Sequence, residues 1–310
     1  MNPIFTKLLI RLAKPTLTRT QVDTLSDEQR AALNIIHSDS SNIFLTGGAG
    51  TGKSRIIQTY LKETDKQVAV VAPTGIAALN IGGQTIHSFF GMTTDQLGMT
   101  DFRLNAQHHE ILRNIDELVI DEISMVRVDT MQAINMALQN SRKSERPFGG
   151  VRLIVCGDLY QLPPVISSAE LLIRLRNLYK GIYFFNAPIW EDSHLKVIQL
   201  NEILRQDNLA FQSILHNIRV GHYEPGDLAI INQRVSAVMD SLPSITLVTR
   251  NSDADAINLQ KVSELRGRQR VYSAYTTGVI REKDIPAPKS LTLKRGAQVV
   301  FVKNDASKRW

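Results

Sequence analysis

The run Gly47-Gly48-Ala49-Gly50-Thr51-Gly52-Lys53-Ser54 follows the apolar stretch Asn42-Ile43-Phe44-Leu45-Thr46 and limits the possible folds more than any other part of the chain. Glycines at these spacings let the backbone curl until successive N–H groups converge at a helix start, where donors and helix dipole together favour an anion. Lys53 adds a point charge toward the β- and γ-phosphates, and Ser54 offers a hydroxyl oxygen to Mg²⁺. A chance glycine turn would not supply all four fixed positions directly after a buried-type strand. Gly47 through Ser54, with the adjoining Arg55, is therefore expected to cradle ATP with Mg²⁺.

The rest of the chain has the alternation that such a loop requires. Short apolar strands are expected at 43–46, 68–72, 118–120, 153–156 and 197–200, and helices at 53–63, 129–141 and 210–219, the pattern of a parallel α/β sheet. Near Pro225 the pattern restarts, with a strand expected at 245–248, a helix at about 253–265 and a strand-like stretch at 298–302. The 310 residues suit two domains, or one and part of another. The expected division is a basic segment at 1–22, a first domain at 23–201 with a small insertion at about 91–107, and the start of a second domain at 202–310.

Composition excludes several classes. No stretch of roughly 18 apolar residues is present, which argues against a membrane span. The one cysteine, Cys156, lies within Arg152-Leu153-Ile154-Val155-Cys156, so it reads as a buried strand thiol and no disulfide or zinc framework is available. A reducing, intracellular setting fits. The net charge of +6 is uneven: residues 1–200 hold 20 basic and 19 acidic side chains, residues 201–310 hold 16 and 11. A basic surplus favours a polyanionic partner, although a solvated basic face is an equal reading of charge alone. The first 22 residues contain Lys7, Arg11, Lys14 and Arg19 and no acid, which suits a docking helix or basic arm better than it assigns a presequence.

Asp121 and Glu122 end the apolar run Leu118-Val119-Ile120, which delivers both carboxylates to the carboxyl edge of a parallel sheet. Beside a P-loop, Asp121 suits Mg²⁺ together with Ser54, and Glu122 suits positioning and deprotonating a water. The run Cys156-Gly157-Asp158-Leu159-Tyr160-Gln161-Leu162-Pro163-Pro164 offers Gln161, whose amide can bond both a phosphate and a water; alternatively it is a polar turn stiffened by prolines. In Pro73-Thr74-Gly75 and His87-Ser88-Phe89-Phe90, small residues and hydroxyls permit close approach to a phosphodiester, and the rings could stack on a base. Core packing is the competing reading, for Phe90 especially. His108 and His109 lack neighbouring ligands and read as surface residues.

Taken together, the P-loop, APTGIAALN with TIHSFF, VIDEISMV, CGDLYQLPPV and LNEILRQDNLAFQSILHNIRVG resemble the Pif-type branch of superfamily 1 DNA helicases, relatives of the RecD motor subunit. Two later stretches, 249–258 and 291–305, are similar to the same family. The resemblance implies a RecA-like ATP-binding domain followed by an incomplete second RecA-like domain. It implies ATP hydrolysis coupled to 5′-to-3′ movement on single-stranded DNA and at junctions with duplex, in repair, recombination, replication or telomere maintenance. It further implies that Gln29, in Leu25-Ser26-Asp27-Glu28-Gln29, reads the adenine edge, and that Arg205 is an arginine finger for the γ-phosphate. Ser26 also reads as the N-cap of a helix beginning at Asp27. Thr74, His87 and Ser88, with Pro73, Gly75 and Phe89, are the expected DNA contacts; Arg266-Gly267-Arg268-Gln269-Arg270 with Tyr272 and Tyr275 is as readily a solvated edge. The family continues beyond Asp305 into a barrel-like subdomain and its last motifs, so a DNA-binding ATPase module without unwinding activity is the alternative. A monomer is expected, located in the cytoplasm of a bacterium or phage host, or in the nucleus or mitochondrion of a eukaryote.

Overall fold

A computed structural model describes residues 25–92, 104, 106–206, 208–233, 245–275 and 288–299. The chain divides into two compact units, Met1–Arg234 and Val235–Trp310. The division falls after residues 202–233 and not before them; those residues pack with the first unit. The basic segment at 1–22 lies outside the described residues, as does most of the expected insertion at 91–107.

The first unit is built on six parallel strands: β1 Ile43–Gly47, β2 Val68–Ala72, β3 Gln84–Thr85, β4 Glu117–Ile120, β5 Arg152–Gly157 and β6 Lys196–Leu200. Their spatial order is β3-β2-β4-β5-β1-β6. Register is set by pairs such as Val71 with Ile120, Ile120 with Val155, and Leu45 with both Cys156 and Ile198. The connecting helices are α1 Asp27–Ser38, α2 Lys53–Glu63, α3 Gly75–Ile81, α4 Ile86–Phe90, α5 Ala106–Asn114, α6 Val128–Arg142, α7 Ala169–Tyr179, α8 Ile189–Asp192, α9 Leu209–Val220 and α10 Pro225–Asn232.

Both faces of the sheet are covered, which is why its central strands read as continuous apolar runs and not as alternating ones. Successive residues point to opposite faces. Phe44, Val71, Leu118, Ile120 and Val155 pack with Phe90, Leu112, Met131 and Leu138 on one side. Ile43, Leu45, Val70, Val119 and Cys156 pack with Ile36, Ile56, Tyr60 and Ile81 on the other. At the amino edge the buried Glu117 carboxylate accepts hydrogen bonds from Arg152 at 2.8 Å, Lys66 at 2.6 Å and the Tyr60 hydroxyl at 2.5 Å. Arg152 also donates to the carbonyls of Ile36 and Ser41, each at 2.9 Å, so one buried charge cluster joins α1, β4 and β5.

The described second unit contains α11 Asn251–Glu264 and an antiparallel pair, β7 Arg270–Ser273 with β8 Ser290–Leu293. The strand expected at 245–248 is not formed: these residues are irregular, and Ile245 and Leu247 are 86% and 92% exposed, so no neighbour rewards extended pairing. The helix expected at about 253–265 is present as α11. Gln298 and Val299 are not in a strand, and the remainder of that expected strand lies outside the described residues.

Candidate functional site

A parallel sheet sends every strand's carboxyl end to one edge, so the strand order arranges the candidate residues in a row. Along that edge come the turn after β3 (His87, Ser88), the turn after β2 (Pro73 to Gly75), Asp121 and Glu122 after β4, Asp158 to Gln161 after β5, the P-loop after β1, and the segment from β6 to Arg205.

The P-loop is tightly enclosed. Gly50 and Gly52 have φ of 85° and 83°, in the left-handed region that glycine alone adopts without strain. A Cβ on Gly47 would lie 2.6 Å from the Leu200 carbonyl oxygen, and one on Gly50 would lie 2.8 Å from Cβ of Arg205. Lys53 leads α2, and its Nζ donates to the carbonyls of Gly47 at 2.8 Å and Gly48 at 3.0 Å. The Thr51 hydroxyl donates to the Gly48 carbonyl at 3.0 Å. Ala49 completes the loop, and Arg55 lies within the first turn of α2.

Ser54 and Asp121 meet: the Ser54 hydroxyl donates to Asp121 Oδ2 at 3.3 Å, while Oδ1 accepts the Glu122 backbone N–H at 2.9 Å. Burial pushes the Asp121 carboxyl up, against hydrogen bonds from Glu122, Ser54 and Cys156 and the charge of Lys53. Glu122 is also pushed up, by burial and then by Asp121. Its φ of 51° places a non-glycine residue in the left-handed region, a strain that needs surrounding structure to maintain it. A hydroxyl and carboxylate oxygens with no nitrogen or sulfur form a hard donor set, and the excess negative charge suits a divalent cation, so these residues fit Mg²⁺ with substrate and water oxygens completing its shell.

α1 contributes more than its sequence suggests. Ser26 caps it, and the buried Gln29 closes a capping box: Oε1 accepts from the Ser26 N–H at 3.2 Å, and Nε2 donates to the Thr51 carbonyl at 3.0 Å. A side chain at Gly52 would run into that same amide. Glu28 accepts from the backbone N–H of Asn201 at 2.9 and 3.1 Å and of Glu202 at 2.9 Å. One helical turn thus holds both the P-loop and the segment carrying Arg205. Leu204 N–H donates to the Gly50 carbonyl at 3.0 Å, which brings exposed Arg205 to the phosphate-binding turn.

Asp158 and Arg219 were not distinguished in the sequence. Asp158 is 1% exposed, and Arg219, near the end of α9, donates to both of its oxygens at 2.8 and 2.7 Å while lying 4.5 Å from the Tyr160 ring centroid. Burial raises the Asp158 carboxyl, but the hydrogen bonds from Arg219, Tyr160 and Gln161 outweigh it and hold the group below its ordinary range. Gln161 is exposed, and its Nε2 rests on Asp158 at 3.1 Å. The only sequence cue was an arginine in the last turn of a helix that follows the Arg205 segment; the partner could not be read.

At the far end of the row, pairing of Ala72 with Thr85 brings the two expected DNA segments together. Thr74 caps α3 by accepting from Ala77 N–H at 3.2 Å, and Thr85 caps α4 by accepting from Ser88 N–H at 3.2 Å. A Cβ on Gly75 would meet nothing within 4 Å, so the fold does not demand glycine there. His87 is half-buried, and burial together with Arg127 pulls its ring below the ordinary imidazole value. Phe90 is wholly in the core; Phe89 is half-buried with its ring 5.1 Å from that of Phe90 in an edge contact. His108 and His109 are half-buried and not simply surface residues, and His109 Nδ1 lies 2.9 Å from the Ser141 hydroxyl. Among the described residues no group of three or more histidine, cysteine, aspartate or glutamate side chains converges as a metal cage, and no helix is long and apolar enough to cross a membrane. Tyr272 and Tyr275 are 50% and 100% exposed in and after β7 of the second unit.

The six-stranded parallel sheet with a P-loop after β1 and carboxylates after β4 defines a RecA-like P-loop NTPase domain. The chain belongs to the PIF1-like helicase family, whose model matches residues 24–224. It is 33% identical over 300 residues to the ATP-dependent DNA helicase Pif1 of Bdellovibrio bacteriovorus, covering 92% of this chain and 65% of that protein. It is 32% identical to the human ATP-dependent DNA helicase PIF1, covering 95% of this chain and 45% of that protein. Among solved structures, Bacteroides Pif1 helicase in complex with ADP-AlF3 and ssDNA is 33% identical with a TM-score of 0.82, covering 93% of this chain and 68% of that one. The chain therefore spans less than two thirds of the two full-length relatives.

Proposed function

We propose that this chain is the ATP-hydrolysing part of a Pif1-type DNA helicase, one that couples hydrolysis to 5′-to-3′ movement on single-stranded DNA and at its junctions with duplex. The observation that carries this reading is the single edge on which P-loop, carboxylates, Arg205 and the Thr74 and His87 turns stand side by side. Lys53, now resting on loop carbonyls, turns to the β- and γ-phosphates when ATP enters. Ser54 and Asp121 would hold Mg²⁺, which when bound would supply positive charge to neutralise the phosphates. Glu122 accepts a proton from the attacking water, its raised affinity for protons suiting the task. Arg205 stabilises charge developing on the γ-phosphate, and Gln161 relays the state of that phosphate. Gln29 stands beside the P-loop for the adenine edge, while Thr74, Ser88 and His87, with Pro73, Gly75 and Phe89, form the strand-binding turns. The role follows: genome maintenance in repair, recombination, replication or at telomeres, in an intracellular compartment, by a protein acting as a monomer.

Steady-state ATP hydrolysis with and without single-stranded DNA tests the reading. Strong stimulation by DNA that is lost in Lys53→Ala and Arg205→Ala is expected; normal turnover by Lys53→Ala would sink it. A second reading is an ATP-switched DNA-binding module that does not unwind. It is favoured by the second unit, whose described residues contain one helix and an antiparallel pair but no parallel sheet. Strand displacement on a 5′-tailed duplex separates the two.

A further inference from the structure

At the amino edge of the sheet, opposite the P-loop, lies a concave surface of about 590 Å³ lined by Arg113, Ser141, Arg142, Lys143, Ser144 and Arg146. Arg113 comes from the last turn of α5 and Arg142 from the last turn of α6; Lys143 caps α6, and Arg146 precedes the Pro147–Gly150 turn that leads into β5. Four cations and no carboxylate line it, and none of the four forms an ion pair among the described residues.

The walls are fixed by bonds that leave this charge intact. Arg142 Nε donates to the Gly149 carbonyl at 3.0 Å, and its Nη1 donates to those of Leu112 at 3.4 Å, Arg113 at 2.7 Å and Ile115 at 3.1 Å. Arg113 Nε donates to the Ser141 carbonyl at 3.0 Å. Arg146 lies against Gly150, where a Cβ would come within 2.7 Å of its guanidinium. Helix dipoles account for a cation in each last turn. The same holds for Lys143 at the α6 cap, but not for Arg146, which lies past the helix, nor for the hollow that all four share. Guanidinium forks and an ammonium, with no carboxylate and no large apolar side chain beside them, suit the oxygens of a phosphate.

We propose that this surface is a phosphate-binding site separate from the P-loop. Its ligand is a phosphate carried by a nucleic-acid backbone or a free phosphate, and the two sources share the same recognition. The site does not depend on ATP hydrolysis, so it stands or falls apart from the function proposed above.

The test uses the full 310-residue chain and the triple variant Arg113→Gln, Lys143→Gln, Arg146→Gln, which leaves the wall-building Arg142 in place. With ADP and Mg²⁺ saturating the P-loop, affinity for a 5′-tailed duplex is measured against salt, and the melting midpoint against inorganic phosphate. For a backbone ligand the variant binds DNA on the order of tenfold more weakly and its log–log salt slope falls by about two to three. For free phosphate, DNA binding is unchanged but the phosphate-induced rise in midpoint disappears. If neither changes, the site does not exist. Should the triple variant fail to fold, Lys143→Gln and Arg146→Gln carry the same comparison singly, because neither side chain holds the walls together.

Discussion

Arg219 grips both carboxylate oxygens of Asp158, at 2.8 and 2.7 Å, and so fastens α9 to the turn that follows β5. The same guanidinium Nε lies 4.0 Å from where a side chain on Gly48 would begin, beside the P-loop. A helix that follows the Arg205 segment is thereby tied to the residues expected to report on the γ-phosphate.

Removing one partner should cost more than removing both. Arg219→Ala strands a buried carboxylate, a change worth roughly 3 kcal/mol, at the low end for broken buried pairs because Arg219 remains partly exposed. Urea unfolding should show that loss, and Asp158→Asn with Arg219→Met should regain part of it. An Arg219→Ala chain as stable as the parent would mean that the pair is incidental.

Acid should destabilise the chain through two groups. The ordinary values for Glu117 and Asp158 are 4.5 and 3.8, and both are lower in the folded chain, where hydrogen bonds outweigh burial. The folded state therefore binds their protons less tightly than the unfolded state. Their contribution is full above the ordinary values and is lost as pH falls through them toward the lower folded values. Unfolding midpoints followed from about pH 7 to about pH 3 should drop in that window, and Asp158→Asn should flatten part of the drop.

Glu122 should behave in the opposite sense. Burial and Asp121 raise its carboxyl above 4.5, so the acid limb of turnover should lie above that of an ordinary glutamate. Glu122→Gln should lower turnover by about 10²- to 10⁴-fold while nucleotide affinity is retained, measured by steady-state hydrolysis beside calorimetric titration. Retained turnover in Glu122→Gln would assign the proton to another group.

Glu28→Ala should slow hydrolysis without touching the phosphates. It leaves the N–H groups of Asn201 and Glu202 to water, at a cost of about 1 kcal/mol, and loosens the segment that sets Arg205 beside Gly50. Turnover should fall in the direction of Arg205→Ala, with little change in ATP affinity. Full turnover in Glu28→Ala would reduce Glu28 to a helix-end charge.

The features legible in the sequence were those with a local cause. Strands buried on both faces announce themselves as apolar runs, so five of six strands were located, β2 with its full range and the other four short by one residue at one or both ends, where pairing extends past the last apolar side chain. The P-loop, Ser26 and the acids after β4 follow from spacing alone. β3 is two residues long and carries no pattern of its own. The strand expected at 245–248 has apolar residues but nothing packed on them, and pairing depends on partners that composition cannot name. Asp158 with Arg219, and Glu28 with Asn201 and Glu202, join positions far apart in the chain, and nothing local to either side marks such a bond.

Cys156 is the only thiol in the sequence, fully buried in β5 with its sulfhydryl bonded to Asp121 and its proton held well above the ordinary thiol value by burial. An alkylating reagent cannot react with it until the centre of the sheet opens. The chain therefore carries a built-in clock: the rate at which that single sulfur is labelled, with ATP present or withheld, times the opening of the catalytic edge itself, with no engineered probe.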